Sequence, residues 1–475
     1  GNALSVDIEE PRKTYTAWKA AYGGWDVLYA RLLDQEFVVL NSQSDAVELL
    51  ERRSQIYSDR PFIATIDRYG FGFIFVFQGY DDHWRLCRRI VHQTFRADTT
   101  LTFCPMQLRR ARQMIVNMID DPDRYAFHYS TFAAAVALSA VYDYEPNPRN
   151  DPMVHIIDRF IQAVLPATTP KKAVLLKMFP FLWRIPDWLP GSSLSREAKT
   201  AYEWGVKTVE IPYQYAQKRM HPTFSMVSDH VARMKQFDEP YRSDYTSALK
   251  HASATAVLVN ATDGDQTSST IPMFTLAMVQ NPHVWKRAQA EIDVVLGMDR
   301  LPDFADRPFL PYVEAIVRET QRWQPVLPLG IPHATTSSDI YKGFYIPKGM
   351  SCICTNMAMS RDEARYPNAE RFIPERFLTA DGTLTDDDPA EYIFGFGRRI
   401  CPGRHAADAS VWSAIATMLA TLEFTLAKDA EGKDITPEPK YVNGLARHPE
   451  TFPCHISPRP HISKASLERV LVSDG

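Results

Sequence analysis

The sequence predicts a mainly α-helical chain with a smaller β-rich region, and three observations carry that expectation. From Arg404 to Glu423 the apolar residues Ala407, Val411, Ala414, Ile415, Met418 and Leu422 recur at helical spacing. From about Tyr245 to Gln280 a second pattern reads as one long helix, on the order of 50 Å if unbroken. Residues 26–40, by contrast, hold two short strand-like runs, Val27–Leu33 and Phe37–Leu40, with a polar break between them. A hydrophobic content of 45% over 475 residues supports a substantial buried core and argues against disorder. The chain is read as a single domain over residues 1–475.

Charge and cysteine usage narrow the function classes. The 53 lysines and arginines against 57 acidic residues leave a net charge of −4, so no global basic field points to nucleic acid. The six cysteines (Cys87, Cys104, Cys352, Cys354, Cys401, Cys454) form no zinc-type spacing. Cys352 and Cys354 alternate along a strand-like run and read as packing, and a reducing compartment fits. No run of about 18 apolar residues is present, so no membrane-spanning helix is predicted.

The elements then follow in order. Asn41-Ser42 opens a helix carrying Ala46, Val47, Leu49 and Leu50. Over Tyr69–Phe77, Phe71, Phe73, Phe75 and Phe77 fall on every second position, which predicts a strand with an aromatic face. Trp84 to Phe95 is a basic helical segment in which Trp84 and Arg88 share a face at i, i+4. The indole N–H and the guanidinium can therefore converge on one anion. Residues 100–250 are mostly helical patterns with proline breaks. Between Val174 and Pro190, Pro180, Pro186 and Pro190 rule out a continuous helix. The aromatic content of that stretch fits a buried core and a lipid-surface patch equally. Tyr312–Trp323 is helical, with Glu319 and Arg322 on one face at i, i+3. Val326 to His333 is an extended apolar run ending in histidine.

The chemistry-bearing stretch is Phe394–Gly403, a glycine-rich loop with arginines before a single cysteine and a helix after it. Pro402 suits an early helical position because it needs no amide donor. Backbone N–H groups and the helix dipole there favour a thiolate over a thiol. The glycines let the backbone approach something flat and large, and Arg399 can neutralise a carboxylate. A lone cysteine on such a turn is usually structural. The combination of thiolate, open backbone and anion-binding arginine describes an axial-ligand site for haem iron. The spacing Phe-x-x-Gly-x-Arg-x-Cys-x-Gly, matched at Phe394, Gly397, Arg399, Cys401 and Gly403, resembles the haem-binding signature of the cytochrome P-450 family.

That resemblance covers nearly the whole chain and implies the family's fold, with a large helical part and a smaller β-rich region. It implies Cys401 as iron ligand within a cofactor loop that includes Phe394, Gly395 and Gly403. It places Trp84, Arg88, Arg399 and His333 at the haem propionates. Glu319, Arg322 and Arg376 resemble a buried cluster that fixes the loop behind the haem. By the same resemblance, Tyr69–Phe77 covers the substrate pocket, with most of its rings read as core packing and one or two facing ligand, while Val326, Leu327, Leu329 and the turn Asn443–Ala446 line it. Residues 178–189 then lie over the substrate entrance, where they meet the membrane or pack as core. In the long helix the family has a small residue, a glycine, any residue, an acid and a threonine. Counting back from Leu276-Ala277-Met278 puts the acid at Asp265, the usual glycine at Asp263 and the usual threonine at Gln266. Thr267 follows, rotated by about 100° around the helix. Gln266 offers an amide where the family offers a hydroxyl. Gly264 and Pro272 predict a distorted helix. Asp265, aided by Gln266, Thr267 or water, is the expected proton source.

The implied cofactor is haem b, and the implied reaction inserts one oxygen atom of dioxygen into a lipophilic small molecule. No phosphate-cradling or flavin-binding segment is visible, so electrons are expected from a separate NADPH–cytochrome reductase, with Arg89, Arg398 and Arg404 as docking candidates. A monomer is expected at the cytoplasmic face of the endoplasmic reticulum membrane, with an anchor preceding Gly1-Asn2. The aromatic and proline spacing is most similar to fungal members, especially those of mushroom-forming fungi. Two other readings stand beside this one. Gln266 motivates a peroxide-driven or rearranging haem enzyme, and a noncatalytic haem-binding sensor would share the same cofactor motifs.

Overall fold

The computed structural model describes residues 10–32, 35–63, 65–147, 150–164, 172, 176, 179–185, 192–219, 224–259, 266–298, 300–443 and 446–473. Helices dominate them, as the patterning predicts. The cysteine helix, Arg404–Thr421, is apolar or small on all sides and buries Val411, Trp412, Ile415 and Leu419, which suits an interior position. It shares one core with Cys104–Asp120, Tyr125–Tyr142, Gln266–Gln280 and Pro311–Trp323. A second core joins Asp82–Phe95, Pro152–Val164, Ser193–Lys218 and Glu239–Leu258 with the aromatic segment 69–77. A third, smaller core holds Leu40, Leu49, Leu50, Cys352, Cys354 and Phe396. Ala406 packs on the second core, while Phe396 belongs to the third and Val411 to the first. The Cys401 loop therefore sits where three packed units meet.

The β-rich region is small and positional. Val27–Leu32 pairs antiparallel with Gln35–Leu40, which pairs in parallel with Ser351–Cys354. His333–Ala334 closes the edge, with His333 opposite Cys352. An isolated antiparallel bridge from Asp59 to Ala334 brings residues 57–60 beside His333. Cys352 and Cys354 are buried packing residues, as expected. A three-stranded sheet of Cys454–Pro458, Leu422–Lys428 and Asp434–Ile435 follows the cysteine helix.

Three expectations need correction. Tyr69–Phe77 is not a strand. Its backbone closes successive i, i+3 turns, Phe71 O to Ile74 N, Ile74 O to Phe77 N and Phe75 O to Gln78 N. Gly70 starts this course with a φ of +71°, where a Cβ would lie 2.7 Å from the Cα of Tyr202. The alternate rings of Phe71, Phe73 and Phe75 are nevertheless all buried. The Val326–His333 run is also not extended throughout, because a turn closes from Leu327 O to Gly330 N at 3.1 Å. Finally, the long helix starts at Glu239, six residues earlier than predicted, because Pro240 fits its opening turn; its described parts are Glu239–Leu258 and Gln266–Gln280, and residues 260–265 lie outside the described residues. Of the aromatic stretch 178–189, Pro180–Arg184 forms a short 3-10 turn, and residues 178 and 186–189 lie outside the described residues.

Candidate active site

The cysteine loop is shaped by backbone geometry. Cys401 N–H donates to Phe394 O at 2.8 Å, and Gly397–Arg399 forms a 3-10 turn. Gly395 and Gly397 both have positive φ, 78° and 54°. A Cβ on Gly397 would lie 2.0 Å from Leu50 O, so no side chain fits there. Gly397→Ala is accordingly expected to displace the loop and cost several kcal/mol, of which the left-handed strain alone accounts for about 1–3 kcal/mol. Thermal unfolding together with bound-haem content checks this. Gly403, by contrast, faces open space, leaving room for a group to approach the backbone. Cys401 is half-buried on this loop. Cys87 and Cys352 are interior thiols pushed up to about 12 by burial, and Cys454 to about 11.

Beside the loop lies a set of buried and half-buried cations. Asp81 accepts from the Trp84 amide at 2.7 Å and starts the helix that carries Trp84 and Arg88. Arg88 donates to Ile400 O at 2.7 Å, which ties that helix to the cysteine loop. The Arg399 guanidinium stacks on the Trp84 ring at 4.0 Å. It donates to Ser58 O at 2.7 Å and Gln78 O at 3.0 Å, while its Nη1 is buried with no hydrogen-bond partner. His333 is buried and donates Nδ1–H to Tyr57 O at 2.7 Å. Trp84, Arg88, Arg399 and the Cys401 loop are thus brought together, as the resemblance implied, with His333 linked to them through residues 57–60.

Sequence reasoning missed Arg60. Its guanidinium donates to Ile331 O and Pro332 O, both at 2.8 Å, and to Val76 O at 3.0 Å. No spacing announces it, because the bridge from Asp59 to Ala334 is what brings it to His333. Burial, then the neighbouring Arg399, holds Arg60 far below its ordinary value, with Asp59 opposing. Burial also lowers Arg88, and lowers Arg399 to about 10. His333 is depressed by burial and then by Arg60. Buried cations that mutually oppose ionisation require an anion to offset their cost. The orphaned Nη1 of Arg399 and the open face at Gly403 fit a flat dianionic cofactor such as haem. Because the Nδ1 proton of His333 is committed to Tyr57 O, a contact from Nε2 to a carboxylate requires the imidazolium.

Behind the loop, Glu319 and Arg322 form a fully buried bidentate pair at 2.6 and 2.8 Å. Arg376 joins Glu319 at 3.2 Å. Arg322 also donates to Ser360 O and Ala369 O, and Glu319 accepts from Ile373 N. The three residues brace the segment 360–376 against Pro311–Trp323.

On the other side, Asp265 and the side chain of Gln266 lie outside the described residues, as does Asp263. Thr267 is buried and is followed by the buried hydroxyls Ser268, Ser269 and Thr270. Pro272 lies within this helix, as expected. Val326 and Leu327 are half-buried, and Arg447 N–H donates to Val326 O at 2.8 Å, bringing the C-terminal hairpin alongside. The tip of that turn, residues 444–445, lies outside the described residues. Leu329 instead packs against the core of Tyr15, Trp18 and Leu28, because the turn at Gly330 redirects the chain.

A half-buried cysteine on an open glycine loop, facing buried cations that want an anion, fits the haem-thiolate class of proteins. The family model described as Cytochrome P450 matches residues 1–454. The chain belongs to the cytochrome P450 family. It is 33% identical over 468 residues to Cytochrome P450 monooxygenase 136 of Postia placenta, covering 98% of this chain and 87% of that relative. It is also 33% identical over 467 residues to Cytochrome P450 monooxygenase ple1 of Rhodocybe pseudopiperita, covering 97% and 87%. Cytochrome P450 monooxygenase claT of Ampulloclitocybe clavipes is 31% identical over 474 residues, covering 99% and 91%. The chain is a haem-thiolate monooxygenase with fungal relatives.

Proposed function

We propose that the chain, as one domain, hydroxylates or epoxidises a lipophilic small molecule using haem b held by Cys401. The observation that carries the assignment is the buried arginine set with its orphaned Arg399 Nη1 beside the cysteine loop. When bound, the haem supplies iron that activates dioxygen with two electrons, so that one oxygen atom enters substrate and the other leaves as water. Cys401 donates electron density to the iron through its thiolate. Trp84, Arg88, Arg399, His333 and Arg60 would hold the propionates. Phe394, Gly395 and Gly403 form the backbone cradle. Asp265 moves protons inward, with Gln266, Thr267 or water completing the path. Val326 and Leu327, half-buried beside the C-terminal hairpin, support an apolar substrate.

Electrons come from a separate NADPH–cytochrome reductase in this reading. A shallow surface cavity of about 300 Å³ bordered by Arg85, Arg88, Arg89, His92 and Arg398 supports a docking site for an acidic partner next to the cysteine loop. The monomer works at the cytoplasmic face of the endoplasmic reticulum membrane. Exposed aromatic residues support contact with a lipid surface: Trp25 meets Phe344 edge to face at 6.5 Å, with Tyr22, Tyr29 and Tyr345 also exposed, and Phe179 and Phe181 pair at 6.0 Å. Among the described residues no helix is long and apolar enough to cross a membrane.

A panel of lipophilic probes tests this under two drives, NADPH with a fungal reductase and hydrogen peroxide alone. Product under the reductase drive is expected. Gln266 in the usual threonine position favours one second reading, a peroxide-driven enzyme, and product under peroxide alone would select it. Restoring the hydroxyl with Gln266→Thr is expected to raise product formed per NADPH consumed severalfold. An unchanged ratio would remove Gln266 from the proton path.

A further inference from the structure

His83 and His251 face each other where Asp82–Phe95 packs on Glu239–Leu258. His83 Nε2 lies 2.9 Å from His251 Nδ1, and the rings meet edge to face at 5.1 Å. Two imidazole nitrogens at that distance share one proton, one donating and the other accepting. A first added proton leaves one imidazolium donating to the other ring in a charge-assisted bond, whereas a second leaves no accepting nitrogen between them and sets two cations against each other.

This bond joins three pieces of the structure. His83 precedes Trp84 on the helix tied to the cysteine loop. His251 belongs to the long helix, and its ring also meets Phe73 at 6.2 Å. One turn further on, Thr255 Oγ1 donates to Phe73 O and accepts from Phe75 N–H, both at 3.3 Å. The pair thus links the arginine-bearing helix, the long helix and the aromatic loop.

The surroundings of the pair are limited in charge. Cys87 Sγ lies 3.5 Å from His83 Nε2, and its thiol stays protonated, pushed up to about 12 by burial. Lys250 and Glu210, ion-paired at 2.7 Å, act on His251 from the outer side, the lysine opposing its protonation and the glutamate favouring it. A surface cavity of about 490 Å³, bordered by Glu210, Glu239, Arg242, Lys250 and His251, opens the pair to solvent protons.

We propose that His83 and His251 form a positioning latch: with at most one added proton the pair holds the Trp84 helix and the aromatic loop on the long helix, and protonation of both rings releases them. Burial, then His83, depresses His251 from its ordinary 6.5 to about 4. A depressed histidine stabilises the closed form fully above its ordinary value, and that contribution is lost as pH falls from there towards about 4. Moving from about pH 7.5 to about pH 5.5 therefore shifts the latch about tenfold towards open.

Hydrogen–deuterium exchange on the haem-loaded protein tests this, with rates corrected for the intrinsic pH dependence of exchange. Segments 69–77, 83–91 and 248–258 are expected to open together, about tenfold more at about pH 5.5 than at about pH 7.5. Pro311–Trp323 should not respond. His251→Asn retains an amide at the bonding position but cannot titrate, so it should abolish the acid response. His83→Gln, which removes the second cation and offers an amide oxygen to a protonated His251, should abolish it as well and serves alone if the asparagine variant does not fold. No acid response in the wild type, or an equal response in His251→Asn or in His83→Gln, would overturn the latch.

Discussion

Replacing Cys401 with alanine is expected to reduce turnover of any probe that the wild type converts by more than about a thousandfold, over about 4 kcal/mol of barrier. The polypeptide itself should survive the change. The loop is held by its backbone, with Cys401 N–H on Phe394 O, and by Gly397 pressed against Leu50 O, none of which involves the thiol. Near-ultraviolet circular dichroism should therefore remain native-like while product disappears. A variant that retains a tenth or more of the wild-type rate would remove Cys401 from the role of iron ligand.

The largest effect on stability is expected behind the loop. Glu319→Ala leaves Arg322, which is fully buried, without its bidentate partner, and strips Arg376 of the same carboxylate. Breaking a buried pair from one side costs about 3–5 kcal/mol, because the surviving charge stays desolvated. Against a total stability of about 5–15 kcal/mol, that loss is at least about a fifth of the whole. The urea midpoint and the yield of haem-loaded protein should fall together. A midpoint change worth less than about 1 kcal/mol would show that Arg322 is satisfied by Ser360 O and Ala369 O alone.

How much could be read beforehand depended on whether the signal was local. Cys401 with its glycines, Trp84 with Arg88, and Glu319 with Arg322 each lie within a loop or one helical turn, so spacing alone placed them. Their partners across the fold were less legible. Arg60 reaches His333 through a single bridge between residues 59 and 334, a contact that no periodicity encodes. The aromatic alternation over Tyr69–Phe77 misled for a different reason. Every-second-residue burial is produced here by consecutive i, i+3 turns that start at Gly70, whose positive φ no strand would need. Leu329 shows the same effect on a smaller scale: the resemblance made it a pocket candidate, and one turn at Gly330 sent it to another core. The latch histidines left no trace in the spacing either, since 168 residues separate them.

The central claim is that Cys401 binds haem iron as a thiolate, with the buried arginines holding the ring's carboxylates. The carbon monoxide difference spectrum of the freshly reduced, haem-loaded protein tests this without requiring the substrate to be known. A thiolate-ligated haem gives a Soret band at distinctly longer wavelength than a histidine- or thiol-ligated one. The long-wavelength band is predicted for the wild type and should be absent from Cys401→Ala. A short-wavelength band in freshly prepared wild type, or a long-wavelength band that persists in the alanine variant, would contradict the assignment.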